Sequence, residues 1–213
     1  MARLDPHALG VYVVTSSMLV PGRAHLDVAF AAIRGGADVV QLRAPELSDD
    51  GLTPLARDLS RACVGSTALC IVNDRMAVAV EVGCGAHVGQ ADGVEEARSR
   101  LGPGPILGVS VPDREQARAA EAAGADYLGV TVWTTPTKPE AVPVGLEGLR
   151  SVVGSTALPV VGIGGITARN ATQVLAAGAA GVAVVSAVGA APDPEAATRE
   201  LVEVVRGWRT RAR

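Results

Sequence analysis

The chain has 213 residues, the size of one large domain, and its 19 basic and 22 acidic residues give a net charge of −3 at pH 7. Without a basic stretch, and with only 2% aromatic residues, the sequence excludes a surface built to bind nucleic acid. The 48% apolar content is ample for a core of Ala, Val, Leu and Ile, which is typical of helices packed on a parallel sheet.

The three cysteines, Cys63, Cys70 and Cys84, are odd in number and show no CxxC spacing. This pattern predicts free, mostly buried thiols in a reducing compartment. The N-terminus lacks the features of a secretory signal. The apolar run over residues 175–191 is mostly Ala and Gly and is shorter than the ~20 residues of a spanning helix. We therefore expect a cytoplasmic protein that neither spans nor binds a membrane.

Eight short runs rich in Val, Ile and Leu predict strands that are buried on both faces, because most of them lack polar alternation. These runs are residues 11–15, 39–43, 69–73, 86–89, 106–110, 127–132, 160–164 and 182–186. Helical patterns separate them, over residues 26–33, 52–63, 76–82, 94–101, 114–123, 146–153, 168–177 and 195–208. Helix start signals stand at Ser48, Asp113, Thr167 and Asp193.

A weak internal repeat supports the strand–helix order. Gly36, Gly124 and Gly178, each followed by Ala, end predicted helices and lead into strands, as expected for glycine just after a helix. Eight such units predict an α/β fold, a single-domain (β/α)8 TIM barrel over residues 1–213. The alternative is a doubly wound sheet, which needs a reversal of strand order.

A glycine turn follows the seventh predicted strand, with Gly164 and Gly165 at the start of the next helix. Val185 and Ser186 end the eighth predicted strand. In barrels the loops after strands seven and eight frequently bind phosphate, and backbone N–H groups at a helix start favour an anion. We prefer this interpretation to the alternative of a simple tight turn.

Two carboxylates stand beyond neighbouring predicted strands. Asp74 follows Asn73 at the end of strand three, and Asp92 lies just past strand four. Mg²⁺ is commonly held by one or two carboxylates together with substrate phosphates. An equally good interpretation is that Asp74 and Asp92 cap the helices that follow.

Other polar residues follow strands two and six. Gln41 and Arg43 share one side of strand two by alternation and indicate a site. In the loop after strand six, Thr135, Thr137 and Lys138 offer hydroxyl donors and a cation for phosphate, with a solvated loop as the alternative. A lone histidine within a strand, His87, is interpreted as structural, and no order of residues indicates nucleophilic catalysis.

Together these motifs resemble the thiamine phosphate synthase family, in that family's order and over nearly the whole chain. The matching segments are Gln41-Leu42-Arg43, Val72-Asn73-Asp74-Arg75, His87-Val88-Gly89-Gln90-Ala91-Asp92, Gly108-Val109-Ser110, Asp126-Tyr127, Thr135-Pro136-Thr137-Lys138, Gly162-Ile163-Gly164-Gly165-Ile166 and Val185-Ser186. The resemblance implies a barrel that joins a hydroxymethylpyrimidine diphosphate to a thiazole phosphate and releases diphosphate.

The resemblance also implies roles for residues. Asp74 and Asp92 would hold Mg²⁺. Contacts with the pyrimidine diphosphate would come from Gln41, Arg43, Asn73, Ser110 and Lys138, and contacts with the thiazole phosphate from Thr135, Thr137, Gly165, Val185 and Ser186. Among these we expect Arg43, Lys138 and Ser110 to act in catalysis. The implied mechanism is dissociative, with a departing diphosphate stabilised electrostatically and a pyrimidine-methyl cation captured by the thiazole nitrogen.

Three departures from the family pattern lie at the same rim. Pro45 stands where the family has a lysine that binds diphosphate, Cys84 stands where it has Asp, and a Gly-Pro after strand six is replaced by Thr131-Val132. The departures keep alternatives open: a thiazole tautomerase of the TenI type, which needs no metal, or a non-catalytic relative that binds phosphate ligands. A more distant phosphate-binding barrel would explain the glycine turn alone.

Overall fold

Eight parallel strands close into a barrel in the computed structural model, which describes residues 4–16, 19–89, 93–135 and 141–211. Each strand pairs with the next in sequence, and β1 pairs with β8. The strands are β1 Val11–Val14, β2 Val39–Leu42, β3 Leu69–Asn73, β4 Gly85–Val88, β5 Leu107–Ser110, β6 Tyr127–Thr131, β7 Val160–Ile163 and β8 Gly181–Val184. The predicted barrel is confirmed, and the doubly wound sheet is excluded because no strand order reverses.

Helices surround the barrel and follow the strands. They are α1 His25–Gly35, α2 Asp49–Val64, α3 Met76–Val82, α4 Val94–Leu101, α5 Arg114–Ala122, α6 Gly145–Val153, α7 Ala171–Ala176, α8 Ser186–Gly189 and α9 Pro194–Arg211, with a 3-10 turn at Pro6–Leu9 before β1. Within the described parts of the chain, none of these helices has the length and apolarity needed to cross a membrane.

The apolar core has two parts, separated by the sheet. Alternate strand residues such as Val11, Val13 and Val40 pack outward beneath the helices. The barrel interior holds a smaller cluster that includes Tyr12 and Tyr127. Because side chains alternate along a strand, every second residue faces the barrel interior. The inward-facing residues at the carboxyl ends of the strands lie where the barrel opens.

Three of the four predicted helix starts are confirmed by side-chain caps. Ser48 accepts from the Gly51 N–H at 3.3 Å, Asp113 from the Gln116 N–H at 2.9 Å, and Asp193 from the Ala196 N–H at 3.0 Å. Each cap satisfies a backbone donor that the first helical turn leaves unpaired.

The fourth predicted start, Thr167, is wrong. The Thr167 N–H donates instead to the side-chain oxygen of Asn170 at 2.8 Å. The side-chain NH2 group of Asn170 donates in turn to the Gly165 carbonyl at 2.9 Å. These bonds close a turn, so α7 begins at Ala171 rather than at residue 168.

The end of the eighth predicted strand is also different. β8 stops at Val184, and Ser186 begins the short helix α8. Val185 has a ψ of −78°, and its carbonyl accepts from the Gly189 N–H at 2.8 Å. The apolar run continues through this change of backbone direction, so hydrophobic periodicity does not show where the strand ends.

The cysteines are free, as predicted, and Cys63 and Cys84 are buried. Cys70 and Cys84 lie side by side beneath α2 and α3, with their sulfur atoms 3.0 Å apart. The hydrogen bond between the two thiols lowers the pKa of the Cys84 thiol. This group lies at the amino-terminal ends of β3 and β4, away from the opening of the barrel. The prediction that the departure at Cys84 lies at the active-site rim is therefore wrong.

Candidate active site

One cavity opens at the carboxyl ends of the strands and collects most of the predicted site residues. Those that line it are Gln41, Arg43, Asn73, Ser110, Thr135, Gly165, Val185 and Ser186. Asp74 follows Asn73 directly in the chain. The remaining predicted residues, Thr137, Lys138 and Asp92, lie outside the described residues, so their placement stays a prediction.

Asp74 has an unusual backbone at the end of β3. Its φ is +59°, and it is the one non-glycine residue with a positive φ among those that the structure describes. Its N–H donates to the His87 carbonyl at 2.9 Å, which ties this end of β3 to β4. Its carboxylate accepts from the Asn73 side-chain amide at 2.6 Å. A backbone held in a sparsely populated region is typical of a functional site.

The alternative that Asp74 caps the next helix is wrong. α3 begins at Met76, and its N-cap residue is Arg75, whose side chain makes no capping hydrogen bond. The left-handed backbone of Asp74 instead turns the chain between β3 and α3. The carboxylate is therefore not committed to a helix end.

The donor set at this rim suits a hard cation but is not a closed cage. Among residues 4–16, 19–89, 93–135 and 141–211, no group of three or more His, Cys, Asp or Glu side chains is arranged to hold a metal ion. Asp74 offers carboxylate oxygens, whereas zinc sites are built mainly from His or Cys ligands. One or two carboxylates completed by phosphate oxygens and water are a usual arrangement for Mg²⁺.

The opposite rim is built from backbone. Gly164 and Gly165 have φ values of +93° and +63°. A Cβ on Gly164 would collide with the Trp133 carbonyl oxygen, and a Cβ on Gly165 would lie 3.1 Å from the Thr134 carbonyl oxygen. Glycine is therefore required at both positions, because the loop after β6 packs directly on this turn.

The short helix α8 borders the same rim. Val185 and Ser186, at its amino end, line the cavity, and the first N–H groups of a helix have no partner within it. At its other end the Arg23 guanidinium donates to the carbonyls of Gly189 at 2.8 Å and Ala191 at 2.6 Å. A glycine turn and a short helix after strands seven and eight form the arrangement that binds phosphate in many barrels.

A chain of hydrogen bonds crosses the barrel at the floor of the cavity. The hydroxyls of Tyr12 and Tyr127 are 2.8 Å apart, and that of Tyr127 is 2.9 Å from His87 Nδ1. His87 Nε2 is 2.9 Å from the Ser110 hydroxyl. Burial raises the pKa of both tyrosines above the ordinary value, so both keep their protons at neutral pH.

With both tyrosines protonated, one consistent assignment of hydrogens gives the chain a direction. Tyr12 donates to Tyr127, Tyr127 donates to His87 Nδ1, and the His87 Nε2–H donates to Ser110. The positions of these hydrogens are assigned from the hydrogen-bond network. With its oxygen engaged as an acceptor, Ser110 can donate its own hydrogen to a ligand in the cavity.

Two glycines make room for these rings inside the barrel. A Cβ on Gly108 would fall on the Tyr127 ring, and one on Gly129 would lie 3.1 Å from His87 Cε1. Both glycines are in strands, β5 and β6, where glycine often marks a close approach of other groups.

Sequence reasoning missed Tyr12 and Tyr127 as lining residues and treated His87 as structural. Both ring nitrogens of His87 are indeed satisfied, yet the ring also lines the cavity with both tyrosines. One signal was available: the chain has only two tyrosines, and both fall in predicted strands.

Comparisons with known proteins agree with this geometry. The profile of the thiamine monophosphate synthase family matches residues 11–188. A thiamine-phosphate synthase of Moorella thermoacetica is 46% identical over 207 residues, covering 95% of this chain and 97% of the relative. One from Roseiflexus sp. (strain RS-1) is 47% identical over 199 residues, covering 92% and 84%.

A solved structure gives the same answer for the fold. Thiamine phosphate pyrophosphorylase from Pyrococcus furiosus superposes with a TM-score of 0.87 at 37% identity, covering 95% of this chain and 98% of the other. 3-Hexulose-6-phosphate synthase from Salmonella typhimurium, at 15% identity and a TM-score of 0.70, shares the fold alone. The profile match and the full-length identities show that the chain belongs to the thiamine monophosphate synthase family.

Proposed function

We propose that the protein is a thiamine phosphate synthase, a transferase that joins the pyrimidine of hydroxymethylpyrimidine diphosphate to thiazole phosphate. The observation that carries the proposal is that one cavity collects residues from all the matching motifs whose side chains are described. Arg43 and Asn73 border one side of the cavity, and Gly165 and Ser186 border the other. Each of the two substrates carries an anionic group, so the reaction needs two anion-binding sites in one cavity.

On the side of β2 and β3, Arg43 binds the diphosphate and offsets the charge that grows on it as it leaves. Asn73 and Ser110 donate hydrogen bonds that hold the pyrimidine diphosphate, and buried Gln41 fixes the ring from β2. Lys138 adds a second cation in this proposal. Stabilisation of a leaving group by fixed donors in a shielded cavity is commonly the largest contribution to such catalysis.

On the side of β7 and β8, backbone N–H groups near Gly165 and Ser186 bind the thiazole phosphate, and the Val185 backbone and the hydroxyls of Thr135 and Thr137 complete that site. This orientation directs the thiazole nitrogen at the pyrimidine methylene carbon. The carbon–oxygen bond to diphosphate breaks, and the nitrogen lone pair forms the new carbon–nitrogen bond. Positioning of the two partners replaces a general base, since no proton must be removed.

Mg²⁺ is the cofactor in this proposal, with Asp74 and Asp92 as its ligands. Bound there, it would supply charge neutralisation for the diphosphate. The positive φ of Asp74 at the end of β3 supports this assignment, as does the finding that the N-cap residue of α3 is Arg75 rather than Asp74. The small-molecule substrates define the partners, and the cytoplasmic location and single-domain organisation over residues 1–213 remain predictions.

A mixing assay tests the proposal. Purified protein, hydroxymethylpyrimidine diphosphate, thiazole phosphate and Mg²⁺ are combined, and thiamine phosphate and diphosphate are followed by chromatography. We expect equal amounts of both products, and their loss when EDTA is added. Binding of thiazole phosphate without any product would contradict the synthase and favour a tautomerase or a non-catalytic relative.

A further inference from the structure

The loop after β2 is firmly held although it lacks the family's lysine. The Leu47 N–H donates to the Ala44 carbonyl at 3.1 Å, which closes a four-residue turn. Pro45 occupies the second position of this turn, where the fixed φ of proline is favourable. The Arg75 guanidinium, from beyond β3, donates to the Leu47 carbonyl at 3.1 Å. The turn therefore has a defined shape that a proline suits.

Glu46, the next residue of the turn, begins a path of contacts that leads back to Arg43. Its carboxylate is 2.7 Å from His25 Nε2. His25 Nδ1 is 3.1 Å from the Thr15 hydroxyl, and the backbone N–H of Arg43 donates to that same hydroxyl at 3.1 Å. Three segments that are distant in sequence thus meet: the end of β1, the start of α1 and the loop after β2.

Burial makes this path costly to break. His25 is 4% exposed and Thr15 is 0% exposed, and a buried polar atom without a partner is strongly destabilising. One arrangement gives every donor an acceptor: Arg43 N–H to Thr15, Thr15 O–H to His25 Nδ1, and His25 Nε2–H to Glu46. The last of these is a charge-assisted hydrogen bond, which is shorter and stronger than a neutral one.

The same path fixes the strand from which two cavity residues project. The Thr15 N–H donates to the Gln41 carbonyl at 2.9 Å, so backbone and side chain of Thr15 together hold both Gln41 and Arg43. Small displacements at such a position have large effects on ligand binding, because charged hydrogen bonds depend steeply on geometry.

We propose that His25 and Glu46 are positioning residues for Arg43: together with Thr15 they fix the end of β2 and its turn, so that the guanidinium meets the diphosphate of the pyrimidine substrate. The inference rests on the proposed function and on the role of Arg43 in it. Because Pro45 stands where the family has a cationic contact, Arg43, held in place by these bonds, contributes a larger share of the diphosphate binding.

The test compares the KM values of the two substrates in Glu46→Ala, His25→Ala and Glu46→Gln. For the two alanine variants we expect the KM for hydroxymethylpyrimidine diphosphate to rise about tenfold, the loss expected when a charge-assisted hydrogen bond is removed. The KM for thiazole phosphate stays within about twofold, because its site is built by other strands. Glu46→Gln keeps an acceptor for His25 and restores most of the affinity.

Glu81→Ala is the matched control, because the Glu81 carboxylate also forms an exposed ion pair, 2.6 Å from the Arg57 guanidinium, and lies outside the cavity. Equal rises in both KM values, or a lower melting temperature with neither KM changed, would show a merely structural role and overturn the inference. Glu46 is part of an exposed turn, so Glu46→Ala provides the test even if His25→Ala does not fold.

Calorimetry separates this inference from the proposed function. If the wild-type protein forms no thiamine phosphate, the synthase proposal fails, but binding of hydroxymethylpyrimidine diphosphate can still be titrated. Weaker binding to Glu46→Ala than to wild type and to Glu81→Ala then supports the positioning role. Equal binding to all three proteins overturns it.

Discussion

The two sides of the cavity are built from different materials. The side formed by β7 and β8 consists of a glycine turn and the start of a short helix, and its polar groups are mainly backbone. The side formed by β2 and β3 consists of charged and amide side chains, with Arg43 and Asn73 lining the cavity and the Asp74 carboxylate hydrogen-bonded to Asn73. The first side suits a phosphate that is only held, and the second suits a diphosphate that must leave.

This difference also explains how each side responds to mutation. A backbone site depends on the space around glycine and on the packing of the β6 loop, so its losses are steric. A side-chain site depends on individual charges, so its losses are electrostatic. Variants on each side of the cavity can therefore separate steric losses from electrostatic losses.

Asp74→Asn is expected to have the largest effect. Turnover should fall by about 100-fold or more, because the carboxylate that we propose as a Mg²⁺ ligand is lost. The fold should survive, since asparagine tolerates a positive φ as at Asp74. Steady-state kinetics across a Mg²⁺ titration measure this. Asp58→Asn, an exposed α2 carboxylate 3.2 Å from Arg61, is the control, and wild-type kinetics of Asp74→Asn in saturating Mg²⁺ would remove the metal role.

Gly165→Ala should damage the other side. Its φ of +63° and the 3.1 Å approach of the Thr134 carbonyl make a side chain unfavourable, at a cost of about 1–2 kcal/mol in unfolding free energy. We expect the KM for thiazole phosphate to rise about tenfold as the turn shifts.

Gly104→Ala is the control for that experiment, because a Cβ at Gly104 meets nothing within 4 Å. The KM for hydroxymethylpyrimidine diphosphate should change little in Gly165→Ala. A selective rise in that value instead would mean that the assignment of the two sides is reversed.

Tyr12→Phe tests the buried chain beneath both sides. Removing the donor to Tyr127 should lower the unfolding free energy by about 1 kcal/mol at pH 7, measured by urea denaturation. The raised pKa of Tyr12 adds a pH dependence. The unfolded tyrosine loses its proton near pH 10 and the folded one only above that, so the stability from this group is present below pH ~10 and is lost as pH rises.

The difference between wild type and Tyr12→Phe should therefore shrink above pH ~10. A constant difference from pH 7 to pH 11 would contradict a buried, protonated Tyr12.

Pro45→Lys should have the smallest effect. A restored cation at an exposed turn contributes up to about 1 kcal/mol, so the KM for hydroxymethylpyrimidine diphosphate should fall by about two- to fivefold. The loss of proline rigidity should lower stability by roughly 0.4–1 kcal/mol. No change in KM would show that the turn, as it stands, already places enough positive charge at the diphosphate.

Much of this architecture could be predicted from the sequence, for identifiable reasons. Continuous Val, Ile and Leu runs mark strands that helices cover, and a motif at a strand's end must face the opening of a parallel barrel. This reasoning brought Gln41, Asn73, Ser110 and Gly165 into one cavity. The boundary between β8 and α8 escaped it, because Val185 continues an apolar run.

Contacts across the barrel could not be predicted from the sequence, for a different reason. Tyr12 and Tyr127 are 115 residues apart, and their meeting depends on the stagger of eight strands, which no local pattern reports. The path from Glu46 through His25 to Thr15 likewise depends on the angle at which α1 docks. The left-handed backbone of Asp74 has no local signal beyond the tolerance of aspartate for that conformation.

The most direct test is a crystal structure of the protein with Mg²⁺, inorganic diphosphate and thiazole phosphate. We expect the thiazole phosphate at the backbone of Gly164, Gly165 and Ser186, and the diphosphate between Arg43 and Asn73 with Mg²⁺ on Asp74. Both anions on one side of the cavity, or a diphosphate that contacts neither Arg43 nor Asp74, would contradict the division between a holding side and a leaving-group side.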